Sequence, residues 1–409
     1  MSAKYSLYLH IPFCTHRCAY CDFNTYAGQE RLIPAYVEAL CEEIRIVAAN
    51  AGERLPVHTI FFGGGTPSLL TPKQFEMILR TIEDLFELSD LETSMEANPG
   101  TVTPASLLGL RRAGINRISF GVQSFNSMEL RRLERIHDPF DVLDVVHWAR
   151  QAGFSNLNLD LIYGLPDQLL SSWRESLRRA VALNPEHLSL YALTIEHGTP
   201  YGRWATRGLL SIPDPDLAAD MYEYASEFLE GQGYHQYEIS NWSKPGFQCR
   251  HNLQYWRNLP YLGFGAGAHG CSNNMRISNA LHIKTYIDHI FNPSSISSHS
   301  SPQHNGPLRL PFPVSPATVT QVRLTPFVEM QETMMLGLRL THEGISPAAF
   351  QARFGQEFLT IFGKEIDELV HLGLVEFNNS PAPFGEGELL RLTRRGRLLG
   401  NQVFLRFVG

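Results

Sequence analysis

Cys14, Cys18 and Cys21 occupy one short stretch, Cys14-Thr-His-Arg-Cys18-Ala-Tyr-Cys21, directly after the strand-like run Tyr5-Ser-Leu-Tyr-Leu-His-Ile11. Deprotonated thiolates are soft ligands suited to zinc or to iron–sulfur clusters, and a closed zinc site or a fully protein-bound four-iron cluster takes four protein ligands. A triplet with no evident fourth partner describes a metal centre with one position left open. A zinc site completed by Cys41, Cys249, Cys271 or one of the sixteen His is the competing assignment, because sequence does not show which residues meet. Zinc loops, however, usually place paired thiolates in separated knuckles. Six Cys in 409 residues, behind a start with no long apolar run, argue against an exported disulfide framework.

Four further motifs follow in order. Phe61-Phe-Gly63-Gly64-Gly65-Thr66-Pro67 brings three glycines whose backbone can approach a ligand closely and offer amide donors. Glu96 lies in Met95-Glu-Ala-Asn98-Pro99, Gln123 in Phe120-Gly-Val-Gln-Ser-Phe125 and Asp160 in Asp160-Leu-Ile-Tyr-Gly164-Leu-Pro166. One such residue is ordinarily a loop cap. Three at successive strand ends are expected to converge on a small polar ligand, with Arg135 as an additional charged donor.

These residues need a scaffold that puts strand ends side by side. Short β-branched or aromatic runs at 6–11, 57–62, 92–97, 116–120, 156–162 and 187–193 alternate with amphipathic stretches at 34–49, 72–88, 104–113, 140–151, 172–183 and 214–230. Six strand–helix units predict an α/β fold with a parallel sheet, a partial (β/α)6 TIM-type barrel, whose chemistry sits at the carboxyl ends of the strands. The barrel domain is expected over 1–290, including 233–271. A Ser/Pro-rich linker or insertion over 291–324 cannot bury enough apolar surface to order itself. Helical patterns at 327–338, 346–354 and 356–372, then strand-like runs at 374–377 and 389–392, predict a winged-helix-like α+β domain over 325–409. Glu357, Lys364, Glu365, Asp367 and Glu368 give its third helix a net negative face that a phosphate backbone would repel. The net charge of −7 argues in the same direction, against nucleic acid as a partner. No apolar run approaches the roughly 20 residues of a membrane span, so a cytoplasmic location is expected.

Through the Cys triplet and the glycine run the chain resembles the radical S-adenosylmethionine (SAM) superfamily. Tyr8-Leu-His-Ile-Pro-Phe-Cys14, Gly63-Gly-Gly-Thr-Pro67, Gly121-Val-Gln-Ser-Phe125 and Asp160-Leu-Ile-Tyr-Gly-Leu-Pro166 resemble, more narrowly, the oxygen-independent coproporphyrinogen III oxidase family. The resemblance implies a 4Fe-4S cluster on Cys14, Cys18 and Cys21 whose open iron takes the amino and carboxylate groups of SAM. It implies SAM contacts from Tyr8, Gly64, Gly65, Thr66, Glu96, Gln123, Arg135 and Asp160.

Within that family the oxidases carry a further Cys two positions after the triplet and a longer preceding segment. Here Phe23 follows Asp22, and thirteen residues precede Cys14. His251-Asn-Leu-Gln-Tyr255-Trp256 instead resembles a motif of the family's heme chaperones, which implies heme as cargo, a heme-recipient protein as partner, and a peripheral approach to any membrane-bound recipient. His251 is the candidate heme ligand, Cys249 an alternative thiolate, and Tyr255 and Trp256 candidate stacking partners. Cys249, His251, His269 and Cys271 could instead form a metal site. A redox-active cluster would draw on a flavodoxin- or ferredoxin-type reductant. The enzyme alternative is oxidative decarboxylation of coproporphyrinogen III to protoporphyrinogen IX, and no catalytic residue is assigned.

Overall fold

Residues 4–293, 310–379 and 388–408 are described by the computed structural model of the chain. Of the Ser/Pro-rich stretch expected over 291–324 to link or insert, 294–309 lie outside the described residues, while Thr318–Arg323 is a strand paired with Met275–Asn279 rather than a linker. The chain divides into two compact units: Met1–Glu186, Tyr191–Met221 and Pro260–Arg323 form the first, and His187–Leu190, Tyr222–Leu259 and Leu324–Gly409 the second. The sequence reading grouped 233–271 with the barrel, whereas the division falls between Leu259 and Pro260. The reason is pairing, which sequence order does not reveal: Asn241–Ser243 runs antiparallel to His187–Leu190 and to His235–Glu238.

In the first unit, strands Tyr5–Ile11, Pro56–Gly64, Glu87–Ala97, Arg117–Gln123 and Leu157–Tyr163 lie in that order as parallel neighbours. The ends of the sixth strand are tied to the fifth by Glu186 N–H to Leu157 O at 3.1 Å and Leu193 N–H to Tyr163 O at 2.9 Å. Beyond Tyr5–Ile11 the sheet continues with parallel Tyr261–Phe264, then antiparallel His269–Ser272, Met275–Asn279 and Thr318–Arg323. The α/β architecture is therefore the expected one, built on a large parallel sheet that does not close on itself.

The intervening helices begin where the residue chemistry dictates. Thr71, Thr103 and Asp138 each cap a helix that opens on proline and complete a reciprocal capping box with the third helical residue. One boundary differs from the pattern, since the helix predicted to reach 88 ends at Leu85 and the strand starts at Glu87. Glu87 N–H already bonds Leu55 O, and Asp90 at φ 46° kinks the strand, so its register shifts before the regular ladder begins.

Strand periodicity sorts the side chains into two layers. Leu7, Leu9, Ile118, Phe120, Leu157 and Leu159 are fully buried on one face. Ser6, Tyr8, Thr59, Ser94, Glu96, Arg117, Ser119, Asn158 and Asp160 occupy the alternate positions, which gives the opposite face a polar character that hydrocarbon packing alone would not select.

The second unit matches the predicted helices and hairpin. Helices Pro326–Gly337, Pro347–Phe354 and Phe358–His371 bury Met334, Phe350, Phe358 and Ile366 with Leu390 in one core. The hairpin Val375–Asn379 and Glu388–Leu392 pairs Val375 with Leu392, and short helices Arg394–Leu398 and Gly400–Phe404 follow.

Candidate metal and cofactor site

The cysteine loop is held from several sides. Phe13–Cys14 pairs in parallel with Tyr26–Ala27, and Cys21 N–H bonds Cys18 O at 3.1 Å to close the turn. The Arg17 guanidinium donates to Cys21 O and Phe23 O, each at 3.3 Å. Asn24 Nδ2 donates to Ala266 O and Leu281 O at 3.1 and 3.0 Å, and Tyr201 N–H reaches Ala19 O at 3.1 Å. All three thiols open on a cavity of about 450 Å³. Thr66 Oγ1 donates to Cys14 Sγ at 3.6 Å and Arg135 Nη1 to Cys18 Sγ at 3.6 Å. Burial raises the Cys14 and Cys21 thiols above their ordinary range, partly countered at Cys14 by the Thr66 hydrogen bond. Without a metal these groups therefore stay neutral, and a bound cation would be needed to hold them as thiolates.

The glycine run does more than approach a ligand. Gly65 N–H bonds Ile11 O at 2.9 Å and Thr66 N–H bonds Phe13 O at 2.8 Å, locking this turn to the backbone just before Cys14. A Cβ on Gly65 would lie 2.6 Å from Phe13 O, and Gly64, at φ 110°, would press a Cβ to 2.3 Å from the His10 ring. Both positions demand glycine for contact with the cysteine segment itself.

Glu96, Gln123, Arg135 and Asp160 line the same cavity with Gly64, Gly65 and Thr66. Glu96 Oε2 accepts from Gly64 N–H at 3.0 Å. Its pKa is pushed up to about 7, first by burial and then by the Asp160 carboxylate, with the Gly64 amide and Arg117 pulling the other way. Asp160 accepts from Ser119 Oγ at 2.6 Å and Asn158 Nδ2 at 2.8 Å. Gln123 adopts φ 65°, where the register shifts against the fifth strand. Arg135 Nη2 donates to Gly121 O at 2.8 Å, while its buried Nε has no partner among the described residues.

Tyr8 stands apart from the other expected cofactor contacts. It is not among the residues lining the cavity, and its hydroxyl meets His10 Nδ1 at 3.0 Å. His10 Nε2 in turn bonds Asn24 O at 2.9 Å, so Tyr8 supports the cysteine loop from behind. Ser119, Asn158, His10, Asn24 and Thr25, whose Oγ1 lies 4.0 Å from Cys21 Sγ, are the participants that motif reading missed. Ser119 and Asn158 carried one usable signal, since strand alternation places them on the face of Glu96 and Asp160. Asn24 carried none, because the partners of its side chain, Ala266 and Leu281, are more than two hundred residues away.

These residues fit a cluster with an open iron and a small zwitterion. Among the described residues no three His, Cys, Asp or Glu side chains approach closely enough to hold a single metal ion. The three thiols instead surround a shared space, as ligands to separate irons of one cluster would. Carboxylates, the spare Arg135 donor and the glycine turn supply both charge signs for an ammonium and a carboxylate.

In the second unit, Cys249 precedes the helix Arg250–Trp256 and is fully buried. Its N–H donates to Tyr237 Oη at 3.3 Å. His251 is 1% exposed, lies edge-on to Tyr255 with ring centroids 5.0 Å apart, and its Nε2 meets Tyr255 Oη at 3.0 Å. The Arg339 guanidinium covers the Trp256 ring at 4.2 Å. The four candidate heme residues are thus brought into one segment, but in a closed arrangement.

An open parallel α/β sheet with three thiols at the head of its cavity defines a protein of the radical SAM class, and the profile of the Radical SAM superfamily matches residues 8–180. That of the HemN C-terminal domain matches 324–399. The chain is 37% identical over 408 residues to the heme chaperone HemW of Bacillus subtilis, covering 99% of each chain. It is 46% identical over 268 residues to heme chaperone HemW of Escherichia coli, covering 65% of this chain and 69% of that one. The solved coproporphyrinogen III oxidase HemN of Escherichia coli shares the fold, with a TM-score of 0.79 over 99% of this chain and 90% of that chain at 24% identity. The chain belongs to the HemW family of heme chaperones. Its superfamily implies a 4Fe-4S cluster and SAM. No helix among the described residues is long and apolar enough to cross a membrane.

Proposed function

We propose that the chain binds heme and a SAM-ligated 4Fe-4S cluster, and passes the heme to a recipient protein. The observation that carries this reading is its end-to-end likeness to a curated heme chaperone, 37% identity across 99% of both chains. Cys14, Cys18 and Cys21 would hold the cluster, which supplies an iron able to chelate the amino and carboxylate groups of SAM. Gly64, Gly65, Thr66, Glu96, Gln123, Arg135 and Asp160 would receive that molecule, with Tyr8 bracing the loop. A flavodoxin- or ferredoxin-type reductant is needed if the cluster cycles, and a cytoplasmic location would give it one.

Heme is assigned to His251, with Cys249, Tyr255 and Trp256 around it. Because His251 Nε2 already meets Tyr255 at 3.0 Å, iron ligation requires that contact to open. Heme titration of His251→Ala is expected to show about tenfold weaker binding than wild type. Equal affinity would remove His251 from the site.

The Glu96 carboxyl gives the cofactor site a pH signature. With its pKa pushed up to about 7, it is largely protonated below that pH and becomes a weaker hydrogen-bond acceptor for the SAM amino group. SAM binding is expected to weaken by up to about tenfold per unit as pH falls below about 7, and to level off above it. Calorimetry in buffers of different ionisation heat should register proton release on binding near pH 6.5, from the SAM amino group and from Glu96 together, that Glu96→Gln reduces. A flat profile that Glu96→Gln leaves unchanged would separate Glu96 from the ligand.

The oxidase reading is tested directly. Reduced, reconstituted protein incubated with coproporphyrinogen III and SAM is expected to yield no protoporphyrinogen IX, in keeping with Phe23, 63% exposed, where the oxidases carry a further Cys. Sustained turnover would replace the chaperone reading with an enzymatic one.

A further inference from the structure

Each of the three cysteine sulfurs has a hydrogen-bonding side chain of its own. Thr66 Oγ1 donates to Cys14 Sγ at 3.6 Å, Arg135 Nη1 donates to Cys18 Sγ at 3.6 Å, and Thr25 Oγ1 lies 4.0 Å from Cys21 Sγ. Thr66 and Arg135 are among the residues that the family resemblance assigns to SAM, whereas Thr25 is not. It is 4% exposed, and among the described residues its hydroxyl bonds only sulfur. A buried threonine hydroxyl ordinarily finds a carbonyl or another oxygen.

The chain on either side holds that hydroxyl in place. Asn24 is fastened to Ala266 O and Leu281 O, and Tyr26 N–H bonds Pro12 O at 2.8 Å, so Thr25 sits between two anchors. Burial raises both the Cys14 and the Cys21 thiols; against it Thr66 and then Thr25 lower Cys14, and the Phe23 backbone and then Thr25 lower Cys21. One hydroxyl therefore serves two sulfurs. At Cys18 the donor is a cation: Arg135 Nη2 is anchored on Gly121 O at 2.8 Å, which keeps Nη1 on the sulfur. The Glu134 carbonyl, 4.0 Å from the same sulfur, would oppose negative charge there, and the guanidinium outweighs it because it carries a full charge.

A cysteine that ligates iron has given up its proton, so the hydroxyl and the guanidinium must be the donors. Donors aimed at ligating sulfurs stabilise the more negative, reduced cluster more than the oxidised one, and this raises the reduction potential. Resting on the cluster assignment above, we propose that Thr25 and Arg135 set the reduction potential of the cluster, Thr25 by hydrogen bonding to Cys21 and Arg135 by hydrogen bonding to Cys18. Both are positioning residues for charge, since neither ligates iron. The charged donor has the larger effect.

Redox titrations of the reconstituted full chain in the absence of SAM, with dithionite as the source of the single electron and paramagnetic resonance as the readout, test the assignment. Thr25→Val, which keeps the side-chain shape and removes the hydroxyl, is expected to retain four irons and to lower the ratio of reduced to oxidised cluster about fivefold at a fixed potential, a negative shift of roughly 40 mV. Thr25→Ser should restore the wild-type value. Arg135→Met should lower the same ratio about thirtyfold, a negative shift of roughly 90 mV. An unchanged or more positive potential in either Thr25→Val or Arg135→Met, or a valine-like value in Thr25→Ser, would overturn the proposal. Loss of the cluster in Thr25→Val or Arg135→Met would give that donor a role in assembly instead, and would overturn it equally. Fewer than four irons in the wild-type chain would sink the cluster reading itself.

Discussion

Cys14→Ala is expected to reduce the cluster content of the reconstituted protein from four irons per chain to fewer than about one. The thiol is buried, receives the Thr66 hydroxyl at 3.6 Å and shares its cavity with Cys18 and Cys21. Anaerobic reconstitution followed by iron and sulfide analysis provides the measurement. Cys41→Ala, also buried but within the helix Ile33–Ala51, is the control and should retain a full cluster. Full retention in Cys14→Ala would show that the triplet is not the ligand set.

The largest stability loss is expected at Glu43. This carboxylate is 1% exposed and accepts from Gly265 N–H at 2.8 Å, Asn279 Nδ2 at 2.7 Å, Tyr286 Oη at 2.7 Å and Ser315 Oγ at 2.8 Å. Burial raises its pKa while those hydrogen bonds oppose the shift, so the site is polar and satisfied in the absence of a partner charge. Glu43→Ala would strand four donors and leave a void, and each stranded group costs about 1–3 kcal/mol before relaxation. A net loss of roughly 4 kcal/mol is expected, lowering the thermal midpoint by about 10 °C. Glu43→Gln, which keeps one acceptor oxygen, should lose about half as much. A midpoint shift under about 2 °C for Glu43→Ala would show that the network contributes little.

Much of this arrangement could be read in the chain itself. The strand–helix alternation was plain because amphipathic and β-branched runs alternate, and three of the helices open on proline behind a capping residue, at Thr71, Thr103 and Asp138. The cofactor cavity was legible because strand periodicity and strand ends together fix where Glu96, Gln123 and Asp160 point. Tyr8, expected from the resemblance to contact SAM, is not among the residues lining the cavity, since alternation gives the face of a strand and not the depth along it. The grouping of 233–259 was hidden for a related reason: antiparallel pairing of Asn241–Ser243 depends on His187–Leu190, fifty residues earlier, and no local pattern encodes that choice. The Glu43 hub was equally invisible, since a Glu within an amphipathic helix ordinarily faces water.

Asn24, the residue that fastens the cysteine loop, has a consequence for how the protein is made. Its carboxamide bonds Leu281 O, 257 positions later in the chain. A ribosome adding about 5–20 residues per second needs roughly 10 to 50 seconds to cover that distance. During that interval the three thiols have left the ribosome, while the segment that pins their loop does not yet exist. The loop that carries the three thiols therefore gains this anchor only once translation has passed residue 281.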